Sequence, residues 1–102
     1  MLRHVVLFGF DREATEAQVA EIVRRFAALH EVIAGIEAFE WGLNESPEAL
    51  SAELTHCFML TFHSADARDA YLVDPMHTAF ADWVRTWVRH VAVVDYWIVP
   101  GS

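Results

Sequence analysis

Arg3-His4-Val5-Val6-Leu7-Phe8-Gly9-Phe10 carries apolar side chains on both of its alternating faces, and that two-sidedness decides the fold. In an extended chain successive side chains point to opposite sides. His4, Val6, Phe8 and Phe10 therefore share one face, and Val5 and Leu7 share the other. The opening run superficially suggests a signal peptide, but it passes into Asp11-Arg12-Glu13 without a small-residue cleavage site, and it reads as a first strand. Thr55 to His63 repeats the pattern, with His56, Phe58, Leu60 and Phe62 on one parity and Cys57 and Met59 on the other. His90 to Val99 sets Val91, Val93, Asp95 and Trp97 against Ala92, Val94, Tyr96 and Ile98. Helices lying on one side of a sheet leave the other side to water or to a second subunit. With 55% hydrophobic and 13% aromatic residues, water is disfavoured, and a homodimer burying sheet against sheet is expected.

The segments between these strands fix their order. Thr15 and Gln18 form a capping box, and Val19, Ile22, Val23, Phe26, Leu29 and Ile33 recur at helical spacing until Gly35 supplies a stop. Phe39, Trp41 and Leu43 alternate with Glu40 and Gly42 as another strand, and Asn44-Glu45-Ser46-Pro47-Glu48 begins a polar loop. Ser64 caps a short helix through Tyr71. Asp74-Pro75 restarts it, with Met76, Phe80, Trp83, Val84 and Trp87 as the apolar stripe. The order β-α-β-β-α-β spans residues 1–102 as one α+β domain, a four-stranded antiparallel sheet with helices on one face.

Composition excludes several functions. A formal charge of −8, with seven basic residues that form no stripe, argues against nucleic acid. Apolar runs end well short of the roughly 20 residues that cross a bilayer. Cys57 is the only cysteine, which rules out an internal disulfide and makes a reducing cytoplasm the expected location, with Cys57 a small buried apolar residue. Histidines 4, 30, 56, 63, 77 and 90 form no His-x-x-x-His or His-Glu-x-x-His pair, and phosphate loops, dinucleotide fingerprints and nucleophile elbows are missing. The pattern calls for no metal and no cofactor.

One constellation carries chemistry. Tyr71-Leu72-Val73-Asp74-Pro75-Met76-His77 sets a phenol and an imidazole on either side of a helix start, where exposed N–H groups and the helix dipole disfavour a charged His77. His4 and His56 share the parity of the helix-covered face, so three imidazoles and Tyr71 converge on one cavity, with Asp95 able to orient a histidine. Val6, Phe8, Val23, Phe26, Phe58, Phe80 and Trp83 are the expected walls of a dry pocket for a small apolar or phenolic molecule. The competing reading of each group is structural: buried histidines satisfied by hydrogen bonds, and a Tyr71–His77 pair that packs and caps. His30, His63 and His90 fall at element ends and are expected in solvent.

His4-Val5-Val6-Leu7-Phe8, Trp41-Gly42-Leu43-Asn44, Thr55-His56-Cys57-Phe58 through Thr61-Phe62, and Asp69-Ala70-Tyr71 with Pro75-Met76-His77 and Phe80 together resemble the stress-responsive A/B barrel (Dabb) family along essentially the whole chain. The resemblance implies a ferredoxin-like protomer, a dimeric α+β barrel and an internal cavity in each protomer. In olivetolic acid cyclase-like members, a Tyr and a His matching Tyr71 and His77 serve cofactor-free aldol cyclisation of a polyketide, with histidines matching His4 and His56 near the pocket. Other members imply a non-catalytic, stability-conferring stress protein. A cofactor-independent monooxygenase or a haem-handling enzyme shares the barrel by analogy. Three positions depart from the family pattern: Gly9 replaces a basic residue, Leu54 a glycine, and Met76 a small residue. Gly9 is expected to loosen the dimer face, and Met76 to narrow the cavity mouth.

Overall fold

The computed structural model describes residues 1–101 and has the element order β1 (Leu2–Phe10), α1 (Glu16–Val32), β2 (Ile36–Leu43), β3 (His56–Phe62), α2 (Ala65–Val73), α3 (Pro75–Val84) and β4 (Val88–Trp97). All ladders are antiparallel, and the strands lie in the order β2-β3-β1-β4, a ferredoxin-like arrangement whose second helix is broken in two.

Local chemistry sets the boundaries. Thr15 accepts from the Gln18 amide while the Gln18 side chain accepts from the Thr15 amide, so two orphan donors at the start of α1 are paired. Beyond the other end Gly35 takes φ +96°, a left-handed conformation that glycine tolerates. Asp74 ends α2 and starts α3: its amide donates to the Tyr71 carbonyl, its carboxylate accepts from the Met76 amide, and Pro75 occupies the first helical position. The chain thus turns a corner between Tyr71 and His77.

The core lies between helices and sheet. Ile22, Phe26, Leu29 and Ile33 face Val6, Phe8, Phe58, Leu60 and Phe62, with Phe26 stacked on Phe58 at 4.4 Å between centroids. Aromatic burial of this kind supplies most of the stabilisation of a small domain. α1 packs against β2 and α3, and α2 against β1 and β3, whereas β4 is held chiefly by its ladder with β1. The expectation that the helices cover the whole inner face therefore fails at β4. Val91 and Val93 remain 60% and 54% exposed because the helices do not reach over that edge strand.

The outer face is apolar along β1 and β4. Val5 and Leu7 are half-buried there, Val94 is 53% exposed, and Tyr96 and Ile98 are also exposed. Cys57 is half-buried on this face rather than sealed in the core. Gly9 is buried, and a Cβ there would overlap the Glu53 carbonyl oxygen, so its lack of a side chain admits the β2–β3 loop. Among the described residues, no helix is long and apolar enough to cross a membrane.

Candidate active site

Register on the inner face builds the floor of a cavity. His4 lies directly opposite Asp95, Val6 opposite Val93 and Phe8 opposite Val91, three cross-strand pairs of β1 and β4. α3 borders this floor with His77, Phe80, Ala81 and Val84, residues three and four apart on one helix face. Tyr71, Leu72 and Phe26 close the sides, and Arg85 and Val88 complete a cavity of about 500 Å³. His4, Tyr71, His77 and Asp95 supply polar groups near the corner where α2 gives way to α3, Arg85 stands at the far end of α3, and the remainder is largely apolar.

Tyr71 is the most buried of these groups. Its ring sits 4.3 Å from His77, 5.4 Å from Phe62 and 5.9 Å from His4, centroid to centroid. Its hydroxyl is buried and has no hydrogen-bond partner among the described residues. Burial raises its pKa far above the ordinary phenol value, so the group is a donor at any working pH. A buried hydroxyl without a partner is uncommon in a native fold, and here it belongs to a side chain that lines the cavity.

His77 is half-buried beside it. Its Nδ1 donates to the Leu72 carbonyl at 3.2 Å, which leaves Nε2 with the lone pair. Its pKa is lowered, first by burial and further by His4, against the opposing effects of the Leu72 carbonyl and Asp74. The shift runs toward the neutral imidazole expected at the helix start, with loss of water as its main cause.

His4 is buried, and its Nδ1 donates to Asp95 Oδ1 at 2.7 Å. Asp95 Oδ2 accepts from Arg68 Nη1, also at 2.7 Å. Burial opposes ionisation of Asp95, but hydrogen bonds from Arg68 and His4 outweigh it and hold the carboxyl below its ordinary value. Arg68 is a neighbour of this pair that the sequence alone did not single out.

Several expected lining residues lie elsewhere. His56 is not in the cavity. It stacks on Trp41, with the two ring planes 5° apart, and meets the edge of Phe10 at 5.0 Å, because its place opposite Phe8 puts it toward the β2 side of the sheet. The cavity therefore holds two imidazoles, not three. Phe58 is fully buried beneath Phe26 and is core rather than wall. Val23 packs at the margin of the core, while Ile22 and Phe26 take the inward positions. Trp83 points to the opposite side of α3, where it lines an outer groove with Arg25, Val32, Met76 and Ala79 and receives the Arg25 guanidinium at 4.3 Å. Met76 shares that groove, so it does not narrow the cavity mouth. Val6, Phe8, Phe26, Phe80 and Asp95 do line the cavity. His30, His63 and His90 are exposed. Among the described residues, no cluster of His, Cys, Asp and Glu is arranged to hold a metal ion.

The chain is 33% identical over 95 residues to the stress-response A/B barrel domain-containing protein HS1 of Arabidopsis thaliana, covering 93% of this chain and 87% of that protein. It is 26% identical over 95 residues to olivetolic acid cyclase of Cannabis sativa, covering 93% and 94%. Its fold matches the crystal structure of the Arabidopsis thaliana protein At3g17210 with a TM-score of 0.94 at 31% identity, over 100% and 99% of the two chains. It also matches a dimeric ferredoxin-like protein of unknown function from Jannaschia sp. CCS1 with a TM-score of 0.83 at 26% identity, over 95% and 98%. The model of the stress responsive A/B barrel domain matches residues 2–98, and the chain belongs to that Dabb family.

Proposed function

We propose that this protein is a homodimer, paired through the outer faces of its sheets, that binds a small and largely apolar carbonyl compound and performs cofactor-free acid–base chemistry on it. The observation that carries the reading is the buried Tyr71 hydroxyl, without a hydrogen-bond partner among the described residues and 4.3 Å ring to ring from His77, whose pKa burial lowers, in a largely apolar cavity. The likeness to a protein named as a cyclase supports the same class of chemistry.

The geometry divides the labour. Tyr71, a protonated phenol, donates to the substrate carbonyl oxygen, and the free Nε2 of His77 removes a proton from the carbon beside it. Charge developing on the oxygen is met by a donor already in place in a largely apolar cavity, where a hydrogen bond is worth more than in bulk water. The resulting enolate carbon adds to a second carbonyl of the same chain, forming one carbon–carbon bond. The new alkoxide then takes the proton back from the His77 imidazolium, so the aldol-type ring closure needs no external reagent. Asp95 does not serve as the base, because both of its oxygens are already engaged, by His4 and by Arg68.

The test has a binding arm and a turnover arm. Medium-chain phenols and ketones should raise the melting temperature, since a ligand at 100 times its Kd stabilises by about 2.7 kcal/mol. His77→Ala should keep that shift and lose turnover of a linear polyketide-like substrate. If no apolar compound stabilises the protein, the binding reading fails. If His77→Ala lowers stability and changes no rate, the non-catalytic stress-protein reading takes its place.

A further inference from the structure

We propose that Arg68 is a positioning residue of the cavity: it locks the Asp95 carboxylate across the gap between α2 and β4, and so holds His4 in a single tautomer with Nε2 free. The inference deepens the acid–base reading and rests on it only for taking the cavity as a reaction site.

Arg68 stands one helical turn before Tyr71 on α2, its side chain largely covered. Its Nη1 donates to Asp95 Oδ2 at 2.7 Å, and its Nε donates to Asp69 at 2.8 Å. The guanidinium is thereby fixed at two points by carboxylates on different elements. Asp95 belongs to β4, the strand held chiefly by its ladder with β1. The Arg68–Asp95 pair is thus a strut from the helix that carries Tyr71 to the strand that forms the cavity floor. Asp95 Oδ1 is left to face His4 directly across the ladder, where it accepts from Nδ1 at 2.7 Å.

The chain Arg68–Asp95–His4 has a consequence that a lone Asp–His pair would not. With Oδ2 engaged, the carboxylate cannot rotate to offer its other oxygen to the cavity or to a ligand donor. His4 then has one partner in one place, and the proton on Nδ1 is fixed, as expected when a carboxylate orients an imidazole. The charged and titratable groups around this chain are Arg68, Asp69 and Tyr71 from α2, His77 from α3, and Arg85 just beyond it, while β3 contributes the uncharged Leu60 and Phe62. Besides His4 itself, Arg68 is the basic group within ion-pair distance of Asp95 among the described residues, so no second arginine compensates its removal.

The experiment reads two nuclei in the ligand-free full chain: the ring nitrogens of His4 by long-range proton–nitrogen NMR, and the Asp95 carboxyl carbon through a pH titration. In the native protein His4 should show nitrogen shifts of a single Nδ1–H tautomer. Arg68→Met, which keeps the aliphatic stem, should move those shifts toward tautomer-averaged values and raise the Asp95 midpoint by about one pH unit, the scale of losing an adjacent opposite charge. Arg68→Lys should restore most of the Asp95 midpoint and the native His4 signals. A native His4 already spread over two tautomers overturns the proposal whether or not the Met variant folds, and so does an Arg68→Met protein with both readouts unchanged. Failure to find turnover would remove the acid–base reading and leave these readouts intact, so the two are separable.

Discussion

Tyr71→Phe separates a catalytic from a structural role because the two predict opposite signs in stability. The hydroxyl is buried without a partner among the described residues, so its deletion breaks no hydrogen bond among them. The ring contacts with His77 at 4.3 Å and Phe62 at 5.4 Å stay in place, since Phe has the same ring. Mutational data place the cost of an unpaired buried hydroxyl at about 1–3 kcal/mol. The cavity beside it is open along β4 to solvent, which sets the expected gain at the low end, about 1 kcal/mol. For a domain of 102 residues, that is a rise in melting temperature of about 4–8 °C. The same substitution should lower turnover by about 10²–10⁴-fold, the range for a positioned proton donor or acceptor. Differential scanning calorimetry of both ligand-free proteins measures the first quantity and steady-state kinetics the second. A variant that melts more than about 4 °C below the native protein would refute the reasoning, since the hydroxyl would then be serving the fold.

Val94→Asp places a carboxylate at the centre of the exposed outer face, where an unpaired buried charge costs several kcal/mol. Light scattering should show a dimer for the native chain and a monomer or unfolded material for the variant, and a native monomer at micromolar concentration would exclude the dimer. Gly9→Ala should destabilise by more than about 2 kcal/mol in a denaturant titration, because the new methyl group meets the Glu53 backbone rather than a yielding side chain, and an unchanged midpoint would contradict this. Burial holds both His77 and His56 below the ordinary histidine value of 6.5, so below that pH the unfolded chain binds more protons than the folded one. Their stabilising contribution is complete above about pH 6.5 and declines as pH falls through the window down to the folded values. Melting temperature should drop from pH 7.5 to 5.5, with a shallower slope in His77→Gln, and a flat or opposite slope in the native protein would contradict the sign.

The fold was legible because its punctuation is local. The Thr15–Gln18 box, the Ser64 cap and the Asp74-Pro75 corner are short-range hydrogen-bonding devices, and each starts a helix where the residues say it should. The site was legible where register and parity coincide: His4 and Asp95 share a face and fall opposite each other in the ladder. Parity alone was insufficient for His56 and Phe58. They share that face too, but which part of the face lies under α1 and which opens to the cavity depends on how the helices cross the sheet, a tertiary property absent from any strand. Trp83 shows the same limit on a helix. Residues 77, 80, 81 and 84 face the cavity, whereas 76, 79 and 83 turn toward α1, and an apolar stripe that merges both sets hides the distinction. Arg68 left no trace because an arginine on a short polar helix looks solvated until its partner on β4, 27 positions away, is brought beside it.

Proton exchange on a simple ketone tests the central claim most directly. A medium-chain methyl ketone incubated with the protein in deuterium oxide should lose its α-proton NMR signals at a rate that saturates with ketone concentration, if His77 removes the proton while Tyr71 holds the carbonyl oxygen. The account predicts that His77→Ala and Tyr71→Phe each slow that exchange by about 10²–10⁴-fold while ketone binding persists. Exchange at the buffer rate in the native protein, or equal exchange in all three proteins, would contradict it.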